Sequence, residues 1–369
     1  MFDFLEARLY QPLFLFVITV LTLIQYFNVR NMSFPQLAGY RRNGIWMIFF
    51  CVLLTFFMGF RPVSIYFMDT VNYANIFENM KESPWKPSSS DDEWMFYSLM
   101  YLFAHNDLSV NSFFFVIEIL YILPMLWACR RFSQNNSALL MLCCLGAFSF
   151  FTYGVNGIRN GVALSMVMLA LTYISGNKSS KIFCAVLCFI AIGFHKSSAL
   201  PILAMIGTFI YRKPKFMFYF WGASIIISLA SGGAVSSLFE GLGFDDRLDD
   251  YITGQGYSGQ FSSVGFRWDF LLYSFMPVLL GWYIIFKRGF YNRNYLLLLG
   301  TYIYSNAFWV MVIRSEFSNR FAYLSWFLYP IVLLYPLLSM PVWKKRHGSK
   351  TGAVLVAHLA FTLVMFFIF

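Results

Sequence analysis

The residues of this chain best suited to chemistry are five arginines and one histidine at the ends of apolar runs: Arg61, Arg159, Arg267, Arg314, Arg320 and His195. A guanidinium is a planar fork of donors that matches a phosphate or a carboxylate through paired hydrogen bonds. A histidine titrates close enough to neutrality to serve as a base. Arg159 lies in Asn156-Gly157-Ile158-Arg159-Asn160-Gly161. The glycines permit close backbone approach, and the second is expected to open a helix, so free amides and a positive dipole end would lie beside the guanidinium. That is an anion site in outline, although an ordinary interhelical turn with a snorkelling arginine would be written in the same residues. His195, in Phe194-His195-Lys196-Ser197-Ser198, reads either as a base or as a structural histidine. Within the chain, Asp69, Asp269, Glu316 and the cluster from Asp245 to Asp250 could compensate the arginines; outside it, a phosphate-bearing lipid could.

Other chemistries find less support. No His, Cys and carboxylate group recurs at metal-ligand spacing, and Asp245, Asp246, Asp249 and Asp250 read as a solvated acidic loop before they read as a cation site. All six cysteines, Cys51, Cys129, Cys143, Cys144, Cys184 and Cys188, fall in apolar runs, as small hydrophobes would. No Gly-Lys-Ser phosphate loop is present, so ATP coupling is not supported. A net charge of +10 would suggest nucleic acid in a soluble protein; here it reads as basic loops against anionic lipid headgroups, with no nucleic-acid partner.

The elements that must hold these residues follow from composition. A chain of 369 residues that is 59% apolar and 12% charged, with mean hydropathy +0.63, carries more hydrocarbon surface than one core could hide, so lipid must be its solvent. Twelve spans are expected: 12–28, 44–60, 109–129, 137–153, 161–175, 181–194, 198–211, 216–236, 266–286, 295–313, 321–340 and 352–369. Those starting at Gly161, Lys181 and Ser198 are shorter than the roughly 20 residues of a perpendicular crossing, and are expected to be tilted or internally buried. Loops between spans alternate: one set holds seventeen Lys and Arg and no acid, the other ten Lys and Arg with sixteen acids, while Glu118 lies inside a span. The positive-inside rule puts the basic set in the cytoplasm and the mixed set, with both termini or at least the C-terminus, outside. The five arginines therefore sit at the outer boundary against its charge bias, which singles them out.

One polytopic membrane domain over 1–369 is the simplest organisation, with larger outward loops at 61–108 and 237–265. The first loop offers an amphipathic stretch, Glu93 to His105, that should lie along the membrane surface. The N-terminus, with Asp3, Glu6 and Arg8, reads as a retained helix rather than a cleaved signal. Trp85, Trp94, Tyr257 and Trp268 near the outer surface could stack on sugar rings, or anchor the chain at the interface.

Several short motifs together resemble one family. Gly59-Phe60-Arg61 with Asp69 and Tyr73, Glu93 ahead of a short helix, Asn156-Gly157-Ile158-Arg159, Phe194-His195-Lys196-Ser197-Ser198-Ala199-Leu200, and Asn319-Arg320-Phe321 with Tyr323 are similar to bacterial Wzy-type polysaccharide polymerases of the EpsG-like branch. The resemblance implies a GT-C-like, cofactor-free and metal-independent enzyme of the bacterial inner membrane. It would work at the periplasmic face, moving a growing glycan from undecaprenyl diphosphate to the non-reducing end of the next lipid-linked repeat unit. A glycosyl diphosphate already has a good leaving group, so cations to stabilise its developing charge matter more than a proton donor. Arg61, Arg159, Arg267, Arg314 and Arg320, with Asn156 and Tyr73, are then assigned to the diphosphate, and His195 to the proton of the attacking hydroxyl. Asp69 and Glu316 stand in reserve as bases, with Glu93 behind them. Membrane lipids, a chain-length regulator and a flippase are the further partners implied. A ligase attaching finished glycan elsewhere, a flippase and a structural assembly partner are the rival functions. A transporter should place polar groups mid-membrane in broken, symmetry-related helices; here the arginines gather at one face and Glu118 is the main carboxylate inside a span, which favours surface catalysis.

Overall fold

The computed structural model describes residues 5–40, 44–83, 93–231, 266–314 and 318–368. Backbone polar groups in hydrocarbon have no water to bond, so apolar runs must satisfy them internally as helices. Every regular element among the described residues is accordingly helical. The helices in chain order are α1 (Tyr10–Val29), α2 (Phe34–Ala38), α3 (Gly44–Gly59), α4 (Asp69–Glu82), α5 (Trp94–His105) and α6 (Val110–Phe132). They continue with α7 (Ser137–Leu145), α8 (Phe150–Val155), α9 (Ile158–Leu171), α10 (Lys178–Phe194), α11 (Ala199–Ile210) and α12 (Pro214–Ser231). The last are α13 (Trp268–Trp282), α14 (Arg293–Met311), α15 (Ser318–Trp326), α16 (Tyr329–Ser339) and α17 (His347–Ile368). Local chemistry starts several of them: the Ser109, Asn177 and Asn292 side chains each accept a backbone N–H at the first turn of α6, α10 and α14.

The chain is a multi-pass α-helical membrane protein. Each of the twelve apolar runs is mainly helical where it is described. Among the described residues, five helical stretches have the length and apolarity to span a membrane, Ala7–Val29, Val110–Phe132, Trp268–Lys287, Arg320–Ser339 and His347–Phe367, with shorter apolar helices at Gly44–Gly59, Ile158–Leu171 and Lys196–Ile210. The runs at 137–153 and 321–340 are each broken by a turn, at 146–149 and 327–328. The stretch at 61–108 carries two helices among its described residues. α4 starts at Asp69 and buries Thr70, Tyr73, Ala74, Phe77 and Met80 on one face, and α5 buries Phe96, Met100 and Ala104. α5 packs on α4, α6 and α10 through that stripe. The second loop, at 237–265, lies outside the described residues.

The helices form two packing units, residues 1–198 with 333–369, and residues 199–332. In the first, α9 is the most enclosed element: every residue from Gly161 to Leu171 is buried. It packs on α6 and α10, and Ser165 Oγ donates to the Tyr121 carbonyl of α6 at 2.5 Å. α1 packs along α17, and His358 of α17 bonds the Cys143 carbonyl through Nε2 at 3.1 Å. In the second, α14 is the axis against which α11 and α12 pack. Its buried polar groups find one another: Trp221 Nε1 donates to Asn306 Oδ1, Asn306 Nδ2 to Ser325 Oγ, and Trp326 Nε1 to Ser274 Oγ, at 2.8, 3.0 and 2.7 Å. The six cysteines are free thiols, five buried and Cys188 part-buried.

Candidate functional site

The site is assembled in the first unit where α8 stops and α9 begins. Asn156 and Gly157 make the break, and α9 starts at Ile158, so Arg159 stands in its first turn and Gly161 lies inside the helix. Gly161 is therefore not the opening residue that spacing suggests. Its role is close packing: a Cβ there would stand 2.7 Å from the Tyr153 carbonyl oxygen, and one at Gly157 would stand 2.9 Å from the Tyr153 ring. Only glycine lets the two short helices approach so tightly.

The turn is held from below by α4. Thr70 Oγ1 donates to the Val155 carbonyl at 2.7 Å, and Arg61 Nη2 donates to the same oxygen at 3.2 Å. The Asn156 side chain accepts the Asp69 backbone N–H at 3.1 Å, so Asn156 ties the start of α4 to the turn. Asp69 opens α4 half-buried.

Arg159 rises from this base between aromatic rings, its guanidinium carbon 5.6 Å from the Tyr73 centroid and 5.9 Å from that of Phe96. Nη1 donates to Tyr97 Oη at 3.3 Å. Its principal partner is Glu93: Arg159 Nη1 bonds one carboxylate oxygen, and His195 Nδ1 bonds the other. Glu93 thus bridges Arg159 and His195. It occupies the N-cap of α5 in the left-handed region, φ 56° and ψ 32°, a conformation that costs a non-glycine residue energy and that surrounding contacts must hold. His195 ends α10 in an extended conformation at its C-cap, which turns its ring toward α5. Side-chain exposure falls from 25% at His195 to 12% at Arg159 and 9% at Glu93, so the bridge opens outward through the imidazole.

The structure therefore brings together His195, Arg159, Tyr73 and Asn156 from the expected set, with Tyr73 buried beneath the guanidinium. It adds Glu93, whose importance sequence reading ranked last. Arg61 goes elsewhere, a correction to its expected contact with a diphosphate. Its side chain has no exposed surface, and its donors go to Glu118 Oε1 at 3.2 Å, the Met58 carbonyl at 2.8 Å, Thr70 and Val155. The remaining arginines belong to the second unit. Arg267 is paired with Asp269, Nε to Oδ1 at 2.9 Å and Nη2 to Oδ2 at 2.6 Å, over the Phe270 ring. Arg314 lies half-buried beside the Phe266 ring, and Arg320 stands half-buried near the start of α15. Glu316 lies outside the described residues, as do the acidic cluster, Trp85 and Tyr257.

No group of three or more metal-ligating side chains occurs among the described residues. What the bridge offers is acid–base chemistry: a carboxylate that orients an imidazole, itself anchored by a guanidinium. Among known families, the EpsG family model matches residues 44–369, a stretch that contains every side chain of the bridge. No curated protein and no solved structure matches the chain.

Proposed function

The chain belongs to the EpsG family, and from that membership we propose that it is a metal-independent polysaccharide polymerase, passing a growing glycan from undecaprenyl diphosphate to a lipid-linked repeat unit. The observation that carries the proposal is the bridge of Glu93 between Arg159 and His195. With Nδ1 committed to Glu93, proton transfer runs through Nε2 of His195. An acceptor hydroxyl gives its proton there and attacks the anomeric carbon. The bond from that carbon to the diphosphate oxygen breaks, and the diphosphate leaves with the electron pair. Glu93 stabilises the imidazolium as it forms, and Arg159 holds Glu93 in place. Arg159 thus serves as the anchor of the base. The protein would sit in a bacterial inner membrane, with this chemistry and both termini on the periplasmic side.

The test is reconstitution. Purified protein in lipid, given its lipid-linked repeat unit with chelator and no nucleotide, should yield a ladder of products. His195→Ala and Arg159→Ala should leave only the starting unit at unchanged protein level. Wild-type ladders from both variants would overturn the assignment. Transfer of preformed chains to an unrelated acceptor, with no ladder, would identify a ligase instead.

A further inference from the structure

α6 touches the bridge region near its first turns, where Phe113 meets Phe96 edge to face. At its far end it borders a groove of about 690 Å³, lined by Leu123, Leu126, Trp127, Arg130, Arg131 and Gln134. The lining changes character along the helix. Leu123 and Trp127 offer open apolar surface, 54% and 45% exposed, ahead of two guanidiniums and an amide. Arg131 is already fixed: Nε donates to Thr172 Oγ1 at 2.9 Å, Nη2 donates to the Thr172 carbonyl at 3.3 Å, and its plane lies 3.7 Å from the Tyr173 centroid. Tyr173 in turn meets Trp127 edge to face, so the apolar wall and the cation are one packed assembly. A side chain ordered beforehand loses little entropy when a ligand arrives.

Among the described residues, no carboxylate meets these charges. The groove is lined by no acid, and the chain has no Asp or Glu between Glu118 and Glu240. Arg130 has no ion-pair or hydrogen-bond partner among the described residues. Adjacent cations beside exposed hydrocarbon call for a ligand that is anionic at one end and apolar along its length. Arg131 lies eighteen residues beyond Phe113 on α6, roughly 27 Å along the axis, close to the thickness of a bilayer's hydrocarbon core.

We propose that this groove binds one anionic phospholipid of the leaflet opposite the bridge, its phosphate between Arg130, Arg131 and Gln134 and an acyl chain along Leu123, Leu126 and Trp127. The site rests on the protein's being a membrane protein and not on the reaction proposed above, so its readout is binding. Native mass spectrometry of the detergent-purified protein, titrated with phosphatidylglycerol or phosphatidylcholine, should show one phosphatidylglycerol retained in preference. Arg130→Gln, which removes an exposed side chain with no internal bond, should weaken retention about fivefold, the worth of one basic group at an anionic surface. Trp127→Ala should weaken it with both charges intact. The control Lys178→Gln/Lys181→Gln, which removes two charges from another basic loop, should leave it unchanged. Equal retention of phosphatidylcholine, an equal loss in the control, or glycerol phosphate binding as tightly as the whole lipid would each overturn the proposal.

Discussion

Arg61 and Glu118 meet with Nη1 3.2 Å from Oε1, and neither side chain has any exposed surface. Glu118 lies inside the span Val110–Phe132, and a lone charge there would be costly; the cation that answers it arrives from just beyond the end of α3. The pair stands directly beneath the α8–α9 break, because Arg61 also reaches the Val155 carbonyl and lies 4.7 Å from the Phe114 centroid.

Breaking this pair from one side leaves a buried charge alone. Glu118→Gln or Arg61→Met should each destabilise the protein by about 3–5 kcal/mol, whereas the double variant should recover much of the loss. Thermal unfolding in detergent, analysed as a double-mutant cycle, checks this; additive losses would show that the two charges do not act as a pair.

Thr70 offers a gentler probe of the same contact. Thr70→Val removes the donor to Val155 at a cost of about 1 kcal/mol and leaves the volume in place. Turnover should fall while the melting temperature changes little, and Thr70→Ser, which restores the hydroxyl, should rescue it. Unchanged turnover in Thr70→Val would remove Thr70 as a positioning residue.

Glu93→Gln keeps the shape of the bridge and deletes its charge. Loss of the anion that orients and stabilises His195 should slow polymerisation by about 100-fold or more, with the helical content intact by circular dichroism. Arg159→Lys should also be damaging, since a point charge does not replace a planar guanidinium held beside the Tyr73 and Phe96 rings with Nη1 on both Glu93 and Tyr97. Ladder assays on both variants decide the matter, and near-wild-type rates would deny Glu93 its role.

Gly161→Ala tests the packing that carries Arg159. The added methyl would meet a carbonyl oxygen at 2.7 Å, which should cost about 1–3 kcal/mol and displace the first turn of α9. Gly207→Ala, where nothing lies within 4 Å, should be neutral or stabilise α11 by about 0.5–1 kcal/mol. Equal melting temperatures for the two variants would contradict the packing argument.

Much of this was legible in the chain itself. Apolar runs announce helices because a backbone in lipid has no alternative, and the starts of α6 and α10 carry their capping residues in the sequence. Arg159 and His195 stood out by chemistry and neighbours. Glu93 did not: its partners lie 66 and 102 positions away, and nothing local separates it from Asp91 and Asp92. Arg61 was misplaced for a related reason. Read alone it was an arginine against the charge bias of its boundary; read against the carboxylate inside α6, 57 positions on, it was that carboxylate's counterion. The short run at 161–175, expected to be tilted or internally buried, is enclosed by protein over Gly161 to Leu171, where hydropathy alone does not separate burial from exposure to lipid.

The shared carbonyl of Val155 has one further consequence. In an unbroken helix that oxygen would accept the N–H of residue 159, joining α8 and α9 into a single straight rod. Thr70 and Arg61 claim it instead, so the elbow cannot straighten and the bearing of Arg159 is locked by two residues that touch no substrate. Loosening either would free that oxygen and change the bearing of the guanidinium on Glu93 without altering any group of the bridge.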